Sequence, residues 1–441
     1  MNSHDALSQV ESSSSPEAGK LTCVMCKWQP KLAEALLSRA RVHFVLDQYD
    51  IDHSNPDPRM LARAASVHTV SSYTALEELA TVAADLRLSD PTIESVVSYT
   101  EYSQLGATYI SSMLGLISEP IRHIAARDKR LMKHFVSSAG VPTAPFRSVP
   151  DPSNLIEVRA IAAEINFPAV LKPAAGSGTE HTSKVHDVEE LCEAAERFQS
   201  APGLDSRKLI LEEFIEGDEF HVDAAWDGES ASFFLVSQYY VPRLATISDD
   251  APGDPGVVDG SRVLSREDHT ALYEELMTMN KAVNGALKID RAVTHMEVFR
   301  TRDGKWVFSE IATRIGGAWI PQLLSQAIGQ DIWAVAADSL LNGRIVVEPR
   351  PSAPHLAGVH LRPTKPGTIT SLPSEADFAE TPGMLDYRVI RAVGDNVQME
   401  SASEYCVFAV IGADTAEQLE DRVLTANRRL RVETASAPAV D

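Results

Sequence analysis

Two glutamates face each other across a predicted hairpin in the second half of the chain. Asp303-Gly304 is typical of a two-residue β turn, and with that turn Glu297 lies directly opposite Glu310. The Cβ atoms of such a pair are about 5 Å apart, and like charges at that distance destabilise a hairpin. Two carboxylates together with phosphate oxygens commonly hold Mg²⁺. The pattern therefore predicts a divalent-cation site, and the alternative is a solvated acidic pair that binds no cation.

The same register fixes the neighbours of this pair. It places His295 opposite Ala312 and Phe299 opposite Phe308. Apolar flanks lower the local dielectric, which makes two bare carboxylates more costly still. His295 shares the carboxylate face, and the sequence leaves a site role and a structural role equally open for it.

A lysine ends a predicted apolar strand at Ala169–Lys172 and is followed by a loop of small residues, Gly176-Ser-Gly-Thr179. Small residues let backbone N–H groups approach phosphate oxygens, and a lysine supplies a point charge. The loop is not a Walker A motif, because no Gly-Lys-Ser/Thr follows it. It does not match the GxGxxG pattern either. Taken alone, it is more typical of an ordinary connecting loop than of a phosphate site.

Two further segments carry charged residues that chemistry could use. Lys129 lies at the start of a helix predicted over Arg127–Ala139, where the macrodipole disfavours a cation, and this favours a ligand-facing role. An apolar run from Leu209 ends in acids that begin at Glu212, turns at Gly217 and restarts as an alternating strand. By itself this run predicts a hairpin with a solvated acidic edge.

Taken in this order, these segments resemble the ATP-grasp superfamily. The resemblance covers about residues 21–341 and rests on Arg127-Asp-Lys129, the strand ending in Lys172 with its Gly176-Ser-Gly-Thr179 loop, Glu212-Glu-Phe-Ile-Glu-Gly-Asp-Glu219, and the Glu297/Glu310 hairpin closing on Arg314-Ile-Gly-Gly317. Within the superfamily the chain is most similar to the L-amino-acid ligases, which are carboxylate–amine ligases that make dipeptides. Residues 356–432 resemble the extra C-terminal subdomain of those ligases. The implied fold class is α/β (α+β): an ATP-grasp fold with an N-terminal parallel α/β domain and a C-terminal β-rich subdomain.

The resemblance implies a nucleotide site, a metal site and a catalytic arginine. Lys129 and Lys172 contact the ATP phosphates, and Lys172 also acts in catalysis. Arg314 stabilises the transferred phosphate or the acyl-phosphate. The other implied contacts are a phosphate-covering loop of Ser177, Gly178 and Thr179, an adenine hinge of Glu212, Glu213, Phe214 and Ile215, a ribose contact at Glu219, and a Mg²⁺ site, with Mn²⁺ as an alternative, at Glu297 and Glu310.

One position departs from the superfamily pattern. Many members carry Asn two residues after the second metal-binding glutamate, as a further Mg²⁺ ligand, and this chain has Ala312 there. Several amino-acid-ligase relatives also lack that Asn. The departure leaves the second metal's coordination to water or to His295, which joins the candidates for cofactor binding.

The function implied by the resemblance is ATP-dependent joining of a carboxylate, from an amino acid, to an amine through an acyl-phosphate. Dipeptide or peptide natural-product biosynthesis, including that of antibiotics, is the implied setting, with small-molecule substrates and a homodimer as one option. The enzymatic alternative is another ATP-grasp chemistry, as in purine-pathway ligases or biotin carboxylases. A non-catalytic ATP-binding regulatory module is the alternative of another class, and Ala312 keeps it open.

Composition narrows the class of protein further. The chain has 441 residues, with 40 Lys and Arg against 62 Asp and Glu, so its net charge is −22. This charge disfavours nucleic acids and anionic membranes as partners. Four cysteines make no disulfide scaffold. Cys23 and Cys26 point to opposite faces if their segment is a strand, which predicts buried thiols rather than a metal or redox pair. Neither a signal peptide nor an apolar membrane span is predicted, so we expect a cytoplasmic protein.

Strand and helix signals divide the chain into expected units. Strands at Leu21–Cys26, Val42–Leu46 and Ser95–Tyr99, with a helix between the last two, predict a small parallel α/β unit. The predicted organisation is a disordered tail at 1–20, an N-terminal domain at 21–120, an ATP-grasp domain at 121–345 with a lid-like part near 143–220, a C-terminal subdomain at 346–434, and a tail at 435–441.

Several residues near these motifs have uncertain roles in the sequence. The composition of Asp249–Gly260 predicts a mobile loop. Tyr239, Tyr240 and Arg243 precede it and are weaker candidates for substrate contact. Trp319 is equally consistent with a pocket wall and with the core, and His221 is more typical of a structural residue.

Overall fold

The fold is described from a computed structural model of the chain. It describes residues 21–200, 206–247, 257–342, 345–399 and 404–435. The predicted tail at 1–20, residues 436–441 of the predicted C-terminal tail, and residues 249–256 of the predicted mobile loop lie outside the described residues. Asp259 and Gly260 belong to a strand, so the end of the loop prediction is wrong. Their backbones are paired with the strand beside them.

The N-terminal part is a parallel sheet of four strands, in the order β3-β2-β1-β4. The predicted strands and the helix between the last two are confirmed. The edge strand β3 was missed because its alternating half-exposed sequence carries only two valines. The elements are β1 (Thr22–Cys26), α1 (Pro30–Leu37), β2 (Arg41–Asp47), a π-helical turn (Asp50–Ser54), α2 (Pro58–Leu61), β3 (Ser66–Val70), α3 (Leu76–Ser89), β4 (Ile93–Ser98) and α4 (Glu101–Met113).

The two cysteines of β1 pack in different cores. Cys23 belongs to the core that contains Leu32 and Leu36 of α1, and Cys26 to the core that contains Leu79 of α3. Both are free, fully buried thiols. Burial raises the pKa of Cys23 to about 12, so neither a shared metal nor a disulfide is supported at this pair.

A second, antiparallel sheet follows, in the order β5-β8-β6-β7. Asp187 caps the helix α8 (Val188–Gln199), because its side chain accepts a hydrogen bond from the backbone N–H of Glu190 at 2.9 Å. This sheet and its two helices enclose their own core. The elements are α5 (Pro120–Ala125), α6 (Lys129–Ser138), β5 (Phe146–Val149), α7 (Leu155–Ala162), β6 (Ala169–Pro173), β7 (Ser183–Val185), α8 (Val188–Gln199) and β8 (Leu209–Glu213).

The third sheet has eight antiparallel strands, in the order β13 (Trp306–Ala312), β12 (Ala292–Thr301), β9 (Gly217–Trp226), β10 (Ala231–Tyr239), β11 (Asp259–Val263), β14 (His355–Leu361), β18 (Val407–Ala413) and β16 (Met384–Val389). Apolar side chains on one face of its first four strands pack against α6 and α9. Alternation along the strands therefore directs the polar residues of the other face away from this core. The elements up to residue 342 are β9 (Gly217–Trp226), β10 (Ala231–Tyr239), a 3₁₀ turn (Arg243–Ile247), β11 (Asp259–Val263), α9 (Thr270–Leu287), β12 (Ala292–Thr301), β13 (Trp306–Ala312), α10 (Ile320–Ile328) and α11 (Ile332–Asn342).

The C-terminal section extends this large sheet. β11 pairs with β14, so three C-terminal strands continue the sheet that carries the hairpin. The other three form a small sheet of order β17-β15-β19. The elements are β14 (His355–Leu361), β15 (Gly367–Ser371), α12 (Glu375–Ala379), β16 (Met384–Val389), β17 (Asn396–Val397), β18 (Val407–Ala413), α13 (Ala416–Arg429) and β19 (Glu433–Ala435).

The mixed α/β architecture predicted from the sequence is thus confirmed. Among the helices that the structure describes, none combines the length and the apolar character needed to cross a membrane.

Candidate active site

The predicted carboxylate pair is present in the β12–β13 hairpin. Glu297 lies opposite Glu310, and His295 lies opposite Ala312. The turn, however, is not the predicted two-residue one: Thr301 N–H donates to Lys305 C=O at 2.9 Å, which leaves a three-residue loop. Gly304 closes that loop at φ +83°, a conformation that favours glycine.

A second irregularity restores the predicted pairing. The register shifts by one residue between Glu297 and Val298, so that Val298 lies opposite Phe308 and Phe299 opposite Val307. The predicted Phe299–Phe308 pair is therefore wrong. This bulge cancels the extra turn residue before the strands reach the glutamates, and it keeps both carboxylates on the face away from the core.

Each glutamate of the pair has a partner of its own. Lys129 Nζ lies 3.1 Å from a carboxylate oxygen of Glu310. The hydroxyl of Tyr239 donates a hydrogen bond of 3.0 Å to Glu297, and His295 Nε2 lies 3.5 Å from the same oxygen. These contacts offset the like-charge repulsion that the hairpin register imposes.

A buried chain of polar groups stands behind Glu297. His295 Nδ1 bonds to Asp223 at 2.9 Å, and His221 Nδ1 bonds to the other oxygen of Asp223 at 2.6 Å. Burial lowers the pKa of His295, but Asp223 and Glu297 outweigh it and raise that pKa to about 10. Burial raises the pKa of Glu297, but His295 and Tyr239 outweigh it, and the pKa falls to about 2. Both nitrogens of His295 therefore face carboxylates, and the imidazolium holds Glu297 in place.

Lys129 links the carboxylate pair to the small-residue loop. It is the first residue of α6, which Asp128 caps by accepting a hydrogen bond from the backbone N–H of Arg130 at 2.9 Å. Its ammonium donates to the carbonyl of Gly176 at 2.9 Å. Lys129 therefore links Glu310 of the predicted metal site to the loop that the sequence assigns to phosphate.

Lys172 shares a carboxylate with a lysine that sequence reasoning missed. Glu212 on β8 pairs through one oxygen with Lys172 on β6, and its other oxygen lies 2.8 Å from Lys133 Nζ on α6. Burial raises the pKa of Glu212, but the two lysines outweigh it and bring the pKa to about 2. The side chain of Glu212 therefore pairs with two lysines of the cleft, whereas the sequence assigned this residue to the adenine hinge through its backbone.

The rest of the predicted hinge and the ribose position border the same cavity. The side chain of Glu213 accepts the Asn166 amide at 2.7 Å, and Lys184 Nζ lies 3.8 Å from the Phe214 ring centroid. The carboxylate of Glu219 accepts the backbone N–H of Arg243 at 2.6 Å. Burial and the neighbouring Glu297 raise the pKa of Glu219 to about 8.

The small-residue loop lies close to the N-terminal domain. Gly178 and Thr179 both have positive φ, +64° and +63°. Ser177 donates a hydrogen bond of 3.1 Å to the hydroxyl of Tyr102 on α4. The loop is thus in contact with α4 as well as with Lys129.

Arg314 follows β13 and is paired with an acid from the N-terminal domain. Its Nε donates to Glu101 at 2.7 Å, and Nη2 bonds to the other oxygen of that carboxylate. Burial lowers the pKa of Arg314, but Glu101 outweighs it and raises the pKa above its ordinary value. The guanidinium therefore stays charged and held at the edge of the hairpin.

The residues for which the sequence left both a site role and a structural role open lie partly in the cavity wall and partly in the core. Tyr239 and Arg243 line the cavity, and Tyr240 does not. Trp319 lines it too, is 1% exposed and donates to Ser261 at 3.0 Å, so it serves as wall and as core. His221 is fully buried among hydrogen-bond partners, as expected of a structural residue.

All the sequence-predicted site residues border one cleft of about 1070 Å³ between the second sheet and the large sheet. None of them lies elsewhere. They are Lys129, Lys172, Ser177, Gly178, Thr179, Glu212, Glu213, Phe214, Ile215, Glu219, His295, Glu297, Glu310 and Arg314. The structure brings them together; their individual roles remain predictions.

Lys133 and Glu101 are among the lining residues that the prediction did not include, and each left a signal in the sequence. Lys129, Met132, Lys133 and Val136 are the buried residues of α6 and have helical i, i+3, i+4, i+7 spacing. Because lysine is rarely buried without a partner, a second lysine on that face indicates a paired or functional position. Glu101 lies just past the carboxyl end of the parallel strand β4, where α/β sheets commonly place ligand-binding residues.

The residues present fit a divalent cation. Glu297 and Glu310 supply facing carboxylates in a cleft that Lys129 and Lys172 also line, and carboxylate oxygens are the ligands that Mg²⁺ prefers. Ala312 contributes no ligand atom, and His295 opposite it is engaged with Asp223 and Glu297. The two glutamates are therefore the cation ligands that this hairpin offers.

Comparison with known families supports this interpretation. A family profile described as an ATP-grasp domain matches residues 165–322, and one described as L-amino acid ligase C-terminal domain 2 matches residues 359–435. The L-arginine-specific L-amino acid ligase of Bacillus subtilis is 26% identical over 351 residues, which are 78% of this chain and 80% of that protein. The resemblance inferred from the motifs is confirmed.

Solved structures share the fold. The L-amino acid ligase from Bacillus licheniformis matches with a TM-score of 0.72 at 16% identity, over 95% of this chain and 99% of that one. The biotin carboxylase domain of Hydrogenobacter thermophilus 2-oxoglutarate carboxylase, solved with MgADP, ADP and bicarbonate, matches with a TM-score of 0.60 at 16% identity, over 93% and 90%. The predicted ATP-grasp fold is therefore confirmed.

Proposed function

We propose that this chain, which carries an ATP-grasp domain followed by an L-amino acid ligase C-terminal domain, is an ATP-dependent carboxylate–amine ligase. The observation that carries the proposal is the convergence of Lys129, Lys172, Arg314 and the Glu297/Glu310 pair on one cleft. Phosphoryl transfer needs fixed positive charge around the transferred group and little else from the protein. The cleft meets that requirement, and the proposed transfer uses no side chain as a nucleophile.

The proposed reaction has two steps. A carboxylate oxygen of the acid substrate attacks the γ-phosphorus of ATP, and the bond from that phosphorus to the bridging oxygen of ADP breaks. The amine nitrogen of the second substrate then attacks the acyl carbon, loses a proton to the medium, and expels inorganic phosphate. The product is an amide, which is a dipeptide when both substrates are amino acids.

Each residue has a part in the proposed mechanism. Lys129 and Lys172 hold the phosphates. Glu212 pairs with Lys172 and fixes its position, and Lys133 pairs with the other oxygen of Glu212. Arg314 stabilises the charge on the transferred phosphate. Glu297 and Glu310 would hold Mg²⁺, which supplies charge neutralisation to the phosphate oxygens when bound.

The loop Ser177–Thr179 has a protective role in this proposal. Closing it over the phosphates excludes water, which would otherwise hydrolyse the acyl-phosphate.

Glu213 to Ile215 form the adenine hinge and Glu219 contacts the ribose. We place the nucleotide between the lid-like part near 143–220 and the large sheet. The ATP-grasp domain that we propose spans residues 121–345, and the C-terminal subdomain begins at residue 346.

A screen for amino-acid-dependent phosphate release tests the proposal. The full chain is incubated with Mg·ATP and single amino acids or pairs, beginning with L-arginine because the relative in Bacillus subtilis is described as specific for it. We expect release above the ATP-only rate and an amide of matching mass. A Lys172→Ala variant serves as the inactive control. Tight ATP binding without release or product would favour the non-catalytic module instead.

A further inference from the structure

Glu101 lies in the first turn of α4, and this turn contacts both the phosphate loop and Arg314 of the active site. It is the first residue of α4, which begins shortly after β4 ends at Ser98, and the neighbouring Thr100 is the N-cap. A carboxylate there is stabilised by the positive end of the helix dipole. Glu101 therefore presents a stable negative charge from the N-terminal domain to the cleft, which it lines.

The contact with Arg314 uses the whole guanidinium. Nε and Nη2 bond to the two oxygens of Glu101, and Nη1 donates to the carbonyl of Ile315 at 2.7 Å. The two side chains are only 17% and 19% exposed. A bidentate pair of this kind fixes the plane of the guanidinium as well as its distance.

The same turn of α4 also contacts the loops on either side of the cleft. Tyr102 accepts the hydroxyl hydrogen of Ser177 in the phosphate loop at 3.1 Å. Gln104 accepts a longer hydrogen bond of 3.5 Å from Thr313, the residue before Arg314. The N-terminal domain thus reaches both the phosphate loop and the arginine.

We infer that Glu101 is a positioning residue of the ligase: it fixes the Arg314 guanidinium at the edge of the cleft where phosphoryl transfer is proposed, so that the N-terminal domain completes the site. This inference rests on the proposed function, because it takes Arg314 to act on the transferred phosphate. Burial raises the pKa of Glu101, but Arg314 outweighs it and lowers that pKa to about 2, so the pair stays ionised at neutral pH. Preorganised charge of this kind stabilises a transition state more than a ground state.

Glu101→Gln in the full chain tests the inference, because glutamine keeps the size and removes the charge. We expect kcat for amino-acid-dependent phosphate release to fall by at least about tenfold, while the KM for ATP and the Kd for MgADP change less than about twofold. Glu101→Asp retains the charge and should recover part of kcat. Unchanged kcat in a folded variant, or an equal loss of MgADP affinity, would overturn the inference.

Asp338→Asn is the matched control. Arg39 forms a bidentate pair with Asp338 of α11, with distances of 2.8 and 3.1 Å. Like the Glu101–Arg314 pair, it joins the N-terminal domain to a later part of the chain, but neither residue lines the cleft. If Glu101 only holds the domains together, both variants should lower the melting temperature, and neither should change kcat. Our inference instead predicts a loss of kcat in Glu101→Gln alone.

A second measurement separates failure of this inference from failure of the proposed function. If the wild type shows no amino-acid-dependent release, the ligase proposal fails, and the same variants are assayed for binding of MgADP with and without aluminium fluoride, a mimic of the transferring phosphoryl group. Glu101→Gln should weaken the fluoride complex at least about fivefold more than MgADP alone. Equal weakening, or none, would overturn the positioning role.

Discussion

Glu212 holds two lysines at once. One carboxylate oxygen lies 2.8 Å from Lys133 Nζ, and the other pairs with Lys172. The side chains of Glu212 and Lys133 are only 7% and 1% exposed, so water has little access to them. Two lysines and one glutamate leave the cluster with one net positive charge, which is available to a phosphate group at the cleft.

Lys133→Met should weaken ATP binding. Methionine removes the buried ammonium, the net charge of the cluster falls to zero, and Glu212 then holds Lys172 alone. We expect the KM for ATP to rise at least about fivefold and the free energy of unfolding to fall by about 1–3 kcal/mol. Phosphate-release kinetics and chemical denaturation measure the two effects. Lys281→Met, at an exposed position of α9, is the control; an unchanged KM in Lys133→Met would contradict the role of the cluster.

The same cluster makes a prediction about pH. Glu212 has a folded-state pKa of about 2 against an ordinary value of 4.5, so its ionisation stabilises the fold above pH 4.5, and this contribution is lost as the pH falls towards 2. The difference in melting temperature between the wild type and Glu212→Gln should therefore be constant above pH 5 and shrink as the pH is lowered below 4.5. A difference that stays constant throughout the acid range would contradict the ion-paired assignment.

Glu310→Gln should separate catalysis from stability. It removes a carboxylate from the predicted cation site and weakens the pairing with Lys129, but it also relieves repulsion from Glu297. We expect ligation to be nearly abolished while the stability of the ligand-free protein changes by less than about 1 kcal/mol. The thermal shift produced by Mg·ATP should be lost as well. A large fall in stability, with activity falling only in proportion, would instead indicate a structural role.

The cysteines should be inert in the native protein. Cys23, Cys26, Cys192 and Cys406 are all buried and free. Because the thiolate is the reactive form, burial that raises a thiol's pKa suppresses labelling. We expect an aromatic disulfide reagent to modify all four only after denaturation, and Cys23→Ala to leave phosphate release unchanged. Rapid labelling of the native chain would reopen the possibility of a redox role.

The hairpin illustrates what local patterns could predict. The facing of Glu297 and Glu310 followed from the Asp303-Gly304 turn signal, yet the turn has one residue more and a bulge removes the shift. Which turn forms depends on how the strands twist and pack, which two residues do not encode. The carboxylate pairing was right, and the aromatic pairing beyond the bulge was wrong for this reason.

Contacts between segments that are distant along the chain could not be predicted from the sequence. Glu101 and Arg314 are 213 residues apart, and Glu212 meets Lys133 only when α6 packs beside the second sheet. Periodicity gives the face on which a side chain lies and not its partner on another element. The motifs therefore located the nucleotide-binding segments, whereas the residues that hold Lys172 and Arg314 in place required the fold.

Transfer of an isotope from the acid to phosphate tests the central claim most directly. With the carboxylate of the accepted amino acid labelled with ¹⁸O, formation and cleavage of an acyl-phosphate leaves one of its oxygens on the released phosphate. Mass spectrometry of the phosphate should therefore show one ¹⁸O atom per amide formed in the wild type, and no such signal in Glu310→Gln. Unlabelled phosphate accompanying amide formation would contradict the acyl-phosphate mechanism that we propose for this cleft.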